Sequence, residues 1–120
     1  MVKITKTEIR SFRFALEGVK YAFKTQFNFK IQFTLGLVTV LFGFLFNFNR
    51  FEWMILLLSI CLVLSAELAN TVVEVVVDLV TSEIKPQAKI AKDLSAGVVL
   101  VVSVFVAIVG LFLFLPHILG

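Results

Sequence analysis

ELANTVVEVVVD, residues 67–78, lies inside a long apolar run yet carries Glu67, Asn70, Glu74 and Asp78. At about 100° per residue on a helix, those four point to roughly 0°, −60°, −20° and +20°, an arc of about 80°. Leu68, Ala69, Val72, Val73, Val75, Val76 and Val77 fill the other faces. The stretch reads as a helix greasy on most sides with one polar seam. An ionisable group at a bilayer centre costs about 2.5–3.5 kcal/mol on insertion scales, so the seam marks a functional site.

The rest of the chain supplies the membrane context. Its 120 residues are 60% hydrophobic and 16% charged, with fourteen Phe and a mean hydropathy of +1.05. A soluble domain is about half apolar and a quarter charged, so this composition identifies an integral membrane protein, expected as a single domain over 1–120. No compact apolar core with a small-residue cleavage site opens the chain, so no secretory leader is expected. Cys61 is the single cysteine and has no internal disulfide partner.

Residues 8–24 are expected to form an amphipathic surface helix. Ile9, Phe12, Leu16, Val19 and Phe23 recur at spacings of 3 and 4, and Arg10, Arg13, Glu17, Lys20 and Lys24 repeat them one residue on. A basic side opposite Phe and Leu suits the headgroup layer of an anionic leaflet. The first span is expected over 29–48, with Gly36 and Gly43 allowing close helix approach. Asn47-Phe48-Asn49-Arg50 reads as the tight turn of a helical hairpin. The second span, 51–74, begins at the interface anchor Trp53, and its helix runs on to about Glu83. About twenty residues from Trp53 reach Val72, so Glu67 falls roughly 7 Å below the interface while Glu74 and Asp78 lie at or above it. Pro86 is expected to break the helix in the polar connection 81–93. A third span covers 94–115, with Ser95, Gly97, Ser103 and Gly110 as small contacts and Pro116, His117 and Gly120 marking its end. His117 is expected to be an interfacial bystander.

Of eleven Lys and Arg, seven precede residue 31 and three lie between 85 and 92, with Arg50 on the intervening turn. The positive-inside rule therefore expects the N-terminus and the 81–93 loop in the cytoplasm and the C-terminus outside, in a multi-pass plasma-membrane protein. No nucleic-acid partner is expected. The seam opens towards the side that holds ATP. Glu67, the deepest acid, suits a general base acting on a lipid hydroxyl. Glu74 and Asp78, nearer water, suit Mg²⁺, and Lys92-Asp93 lies where triphosphate charge needs neutralising. Neither a G-x-x-x-x-G-K-[ST] sequence nor a Gly-rich kinase loop is present.

ELANTVVEVVVDL (67–79), AKIAKDLSAGVVL (88–100) and FRFALEGVKYAFKTQFNFKIQF (12–33) together resemble the small prokaryotic diacylglycerol kinase/undecaprenol kinase family, collinearly over about 11–115. The resemblance implies an all-α membrane protein, a surface helix plus three transmembrane helices, assembled as a homotrimer. It implies transfer of the γ-phosphoryl of Mg-ATP to a lipid alcohol, with undecaprenol ahead of diacylglycerol on the form of 88–100 and the shorter N-terminal arm. By it, Glu67 is the catalytic base and Asn70 a neighbouring active-site amide. Glu74 holds Mg²⁺, while Asp78, Glu83, Lys92 and Asp93 serve the nucleotide, joined by Arg10, Arg13 and Phe14 from the surface helix. The family usually shows Thr-Glu-x-Asn where this chain has Thr25-Gln26-Phe27-Asn28, so Gln26 stands at a metal-ligand position without its charge.

Two other readings compete. Gln26 is compatible with a weakened or non-catalytic relative of the kinase. A channel or transporter needs polar groups through the full depth of facing helices, and the first and third spans are nearly bare at their centres. A lone chain leaves three acids facing lipid, so sites completed between subunits are expected.

Overall fold

The computed structural model describes residues 5–120, which leaves Lys3 of the basic N-terminal group outside the described residues. Four helices follow one another: α1 (Lys6–Thr25), α2 (Phe27–Leu45), α3 (Arg50–Val80) and α4 (Pro86–Leu119). Among the described residues there is no strand. The last three helices are each long and apolar enough to cross a membrane. At about 1.5 Å per residue α3 and α4 run roughly 45 and 50 Å, longer than a hydrocarbon core of about 30 Å, so each has a turn or more to spare for the headgroups.

Local chemistry explains each boundary. Thr5 caps α1 through a capping box with Glu8, whose carboxylate accepts the Thr5 N–H at 2.7 Å. The chain breaks at Gln26, whose backbone is extended, and α2 starts at Phe27. Phe23 meets the edges of Phe29 and Phe33, with ring centres 6.2 and 5.4 Å apart, which braces this elbow. At the far end of α2, Asn47 takes φ 54°, a left-handed conformation that Asn tolerates better than most residues. The Phe48 N–H then reaches back to the Gly43 carbonyl and the Asn47 N–H to that of Phe44, a Schellman closure. Asn49 caps α3 in a second capping box with Glu52. The expected four-residue turn is therefore specified bond by bond.

α3 lies in the middle. It packs along α4 and against α2, and α1 touches α2 and α3, whereas the α1 and α2 backbones stay apart from α4, which α2 meets at its far end through Phe46. Gly36 and Gly43 are buried, as their spacing suggested. A methyl group at Gly43 would lie 2.8 Å from the Trp53 ring, and one at Gly36 3.2 Å from Ile60. Gly97 and Gly110 depart from expectation. Nothing lies within 4 Å of where their Cβ atoms would be: Gly110 borders a cavity of about 370 Å³ between the three long helices, and Gly97 borders one lined by residues of α4 itself.

Both prolines also differ from the sequence reading. Pro86 opens α4 at its first turn, where its missing N–H has no carbonyl to lose, and α3 ends earlier, at Val80. Pro116 does not end α4. It sits inside the helix, which continues to Leu119 and closes with the Gly120 N–H on the Pro116 carbonyl. His117 is no bystander. Its Nε2 meets Glu52 Oε2 from across the bundle, and its ring stacks on Phe46 with centres 5.6 Å apart. Phe48, Leu56 and Leu113 form the buried cluster beside it, packed by Trp53 and Phe114.

Candidate active site

The α3 register carries the seam as its spacing implied, and exposure rises along it. Glu67 is 5% exposed, Asn70 and Glu74 are half-buried, and Asp78 is exposed. From Glu67 to Asp78 is eleven residues, about 16 Å of rise. The acid at the deep end is thus enclosed by protein and the one at the far end meets solvent.

Around Glu67 the neighbours come from all three long helices. A cavity of about 330 Å³ is lined by Glu67 and Asn70 of α3, Asn28 and Gln32 of α2, and Ser103 of α4, with apolar residues between. Asn28, Gln32 and Ser103 were not read as site residues from the sequence. Asn28 and Gln32 are four apart and so share a helical face, which was the available sign. Within the seam, Asn70 Nδ2 donates to Glu74 Oε1 at 3.3 Å, and Asn70 Oδ1 accepts from Ser95 Oγ of α4 at 2.7 Å. The Thr71 hydroxyl donates to the Glu67 carbonyl at 3.0 Å.

Further along, the ends of α3 and α4 and the 81–85 connection enclose a second cavity of about 260 Å³. Asp78, Glu83, Lys92 and Asp93 all line it. Lys92 Nζ donates to Asp78 Oδ1 at 2.7 Å, and Lys89 Nζ to Asp93 Oδ2 at 2.6 Å. Glu83 faces Lys85 at 3.9 Å. Both Lys89 and Lys92 precede the 94–115 span. Their hydrogen-bonded carboxylates hold them above the usual lysine range, so both are cations at neutral pH.

The remaining candidates stand apart. Arg10, Arg13 and Phe14 are exposed on α1, which does not pack against α4, so the structure does not bring them to this cavity. Gln26 is half-buried at the α1–α2 elbow, and no hydrogen bond joins its amide to Glu74 among the described residues.

Among the described residues no three His, Cys, Asp or Glu side chains gather to hold a metal ion. Mg²⁺ rarely needs such a cage, since it binds through one or two carboxylates together with substrate phosphates and water. Glu74 spends one carboxylate oxygen on Asn70 and keeps the other. That donor set fits an ion delivered with a phosphate and does not fit an all-protein metal centre. Chemically, the arrangement pairs a protein-enclosed carboxylate with a charged, water-facing cleft on the same helix.

Known proteins align over this same region. The family model described as prokaryotic diacylglycerol kinase matches residues 13–114. A diacylglycerol kinase of Synechocystis sp. is 43% identical over 111 residues, 92% of this chain and 63% of the relative. The chain thus spans slightly less than two thirds of that relative's length. An undecaprenol kinase of Bacillus subtilis is 40% identical over 107 residues, 89% of this chain and 87% of the relative. A diacylglycerol kinase of Haemophilus influenzae is 31% identical over 101 residues, 84% of this chain and 86% of the relative.

Proposed function

The chain belongs to the prokaryotic diacylglycerol kinase family, and from that membership we propose that it transfers the γ-phosphoryl group of ATP to a membrane lipid alcohol. One observation carries the reading beyond the family name. Glu67 is enclosed by protein inside an apolar, span-length helix, and the same helix face leads out to the exposed Asp78–Lys92 pair. Glu67 takes the proton of the lipid hydroxyl. The lipid oxygen forms its bond to the γ-phosphorus as the bond from that phosphorus to the β–γ bridging oxygen breaks, and ADP leaves. Asn70 and Glu74 flank the reacting groups. Lys92, together with Asp78, Asp93 and Glu83, receives the nucleotide, and Arg10, Arg13 and Phe14 reach it only if α1 moves or a neighbouring copy supplies them.

Mg²⁺ is the expected metal; Glu74 would hold it together with the substrate phosphates, and Gln26 would be a neutral second donor if the α1–α2 elbow brings its amide to Glu74. When bound it neutralises triphosphate charge. Everything else falls to positioning, which dominates phosphoryl transfer. Undecaprenol is placed ahead of diacylglycerol as acceptor, the two substrates in the names of the relatives. The protein acts as a multi-pass protein of the plasma membrane, and a homotrimer covers the apolar faces that one chain leaves open.

The test is transfer of label from γ-³²P-ATP to undecaprenol and diacylglycerol by the purified protein in detergent. Label is expected in a phospholipid product, with Glu67→Gln lowering kcat by about 10²-fold or more, the usual weight of a general base. Gln26 favours a second reading, a relative that has lost the reaction. Absence of both label transfer and ATP binding would establish that alternative.

A further inference from the structure

Among the described residues, the Ser and Thr hydroxyls that donate a hydrogen bond from within a helix stay in their own helix, Thr39 to the carbonyl three residues back, with one exception. Ser11, Thr25, Thr34, Ser59 and Thr71 each turn the hydroxyl back to the carbonyl four residues earlier in their own helix. That is the common resting place for Ser and Thr in a helix. Ser95 instead crosses from α4 to α3 and donates to Asn70 Oδ1 at 2.7 Å.

We propose that Ser95 is a positioning residue: its hydroxyl anchors Asn70 Oδ1 and so holds the amide in place with its NH₂ presented to Glu74. The chemistry of the three groups allows no other satisfied arrangement. An ionised carboxylate only accepts, so Glu74 selects the orientation that turns the NH₂ towards it; that leaves Oδ1 towards α4, where the Ser95 hydroxyl donates to it and holds it. Turning the amide over would set its oxygen against the Glu74 carboxylate, acceptor against acceptor. Ser95 is 9% exposed, so water does not readily replace the bond it makes.

The same face of α4 makes a second cross-link. Lys92 and Ser95 are three apart and therefore neighbours on the helix surface. Lys92 reaches Asp78 and Ser95 reaches Asn70, so α4 is tied to α3 on either side of Glu74. Glu74 is left bracketed, with Oε1 held by Asn70 and Oε2 making no hydrogen bond among the described residues. The catalytic consequence rests on the kinase reading above, whereas the amide's orientation does not depend on it.

Two measurements on the full-length protein test this. The first is the side-chain ¹⁵N–¹H₂ resonance of Asn70, identified by its loss in Asn70→Ala. In Ser95→Ala it is expected to shift and broaden, and in Ser95→Thr, which keeps the hydroxyl, to return towards the wild-type position. An unchanged resonance in Ser95→Ala overturns the proposal. The second is kinetic. Ser95→Ala should lower kcat roughly three- to tenfold, the weight of one hydrogen bond, with the KM for the lipid alcohol unchanged. Added to Asn70→Ala, it should have no further effect, because the serine acts only through the amide. Multiplying losses in the double variant would overturn the proposal. If the wild-type protein phosphorylates no lipid, the kinase reading fails, and the Asn70 resonance still decides the role of Ser95.

Discussion

Glu67 combines burial with access to a cavity lined by three carboxamides, those of Asn28, Gln32 and Asn70. Amides solvate a carboxylate or a substrate hydroxyl without bringing a competing charge, which suits a group that must take up a proton. Gln26 poses the sharper question at this scale. A glutamine offers a carbonyl oxygen where a carboxylate would bring charge, and charge count tunes affinity for hard cations. Gln26→Glu is therefore expected to lower the Mg²⁺ concentration for half-maximal rate by roughly tenfold. Equal Mg²⁺ dependence in the two proteins would remove residue 26 from the metal site. The type and spacing of the seam residues were legible before the structure. The partners of those residues were not: Asp78 pairs with Lys92 and Asp93 with Lys89, an assignment that depends on how α4 is rotated.

Among the elements, the α2–α3 hairpin depends most on small side chains. Gly43 is closed over by Trp53 and Phe48, the latter 3.2 Å from where a methyl carbon would sit, so there is no space for a branched residue. Gly43→Val should cost about 1–3 kcal/mol of stability through overpacking, seen as a lower thermal midpoint in detergent. Gly18→Ala on α1 is the matched control. Nothing lies within 4 Å of its Cβ position, and replacing a helical glycine stabilises by up to about 1 kcal/mol. At the outer end of the bundle, Glu52 serves two elements at once. Oε1 accepts the Asn49 N–H of the capping box and Oε2 meets His117 of α4. Glu52→Gln is expected to loosen both the turn and the α4 terminus, read as faster amide exchange at Asn49 and His117. Exchange unchanged at His117 would show that the stacked Phe46 and Phe48 rings hold it unaided.

Across the whole molecule, the apolar faces of α4 and α1 lie open in a single chain. Phe12, Phe105 and Phe112 are 70%, 58% and 78% exposed. Lipid and neighbouring copies are the surroundings such faces suit, and the proposed trimer belongs here. Orientation is the more decisive question, because ATP is found on one side of the membrane. In a Cys61→Ala background, Ser82→Cys is expected to react with an impermeant thiol reagent only in opened or inverted vesicles, and Arg50→Cys in intact cells. Both side chains are exposed. The opposite pattern would put the Asp78–Lys92 cleft away from ATP and end the kinase proposal.

The four helices, the capped turn at 47–49 and the placement of four polar groups on one face of α3 were decided by residue order. They follow from period, capping and turn preference, which act over a few neighbours. Tertiary packing decided the rest: Ser95 on Asn70, 25 residues apart, and His117 on Glu52, 65 apart. Such pairs depend on the rotation and vertical register of α4 against α3. A nearly uniform apolar helix carries little local sign of either, since any of its faces can pack, and the choice falls to the few polar and small residues that must meet.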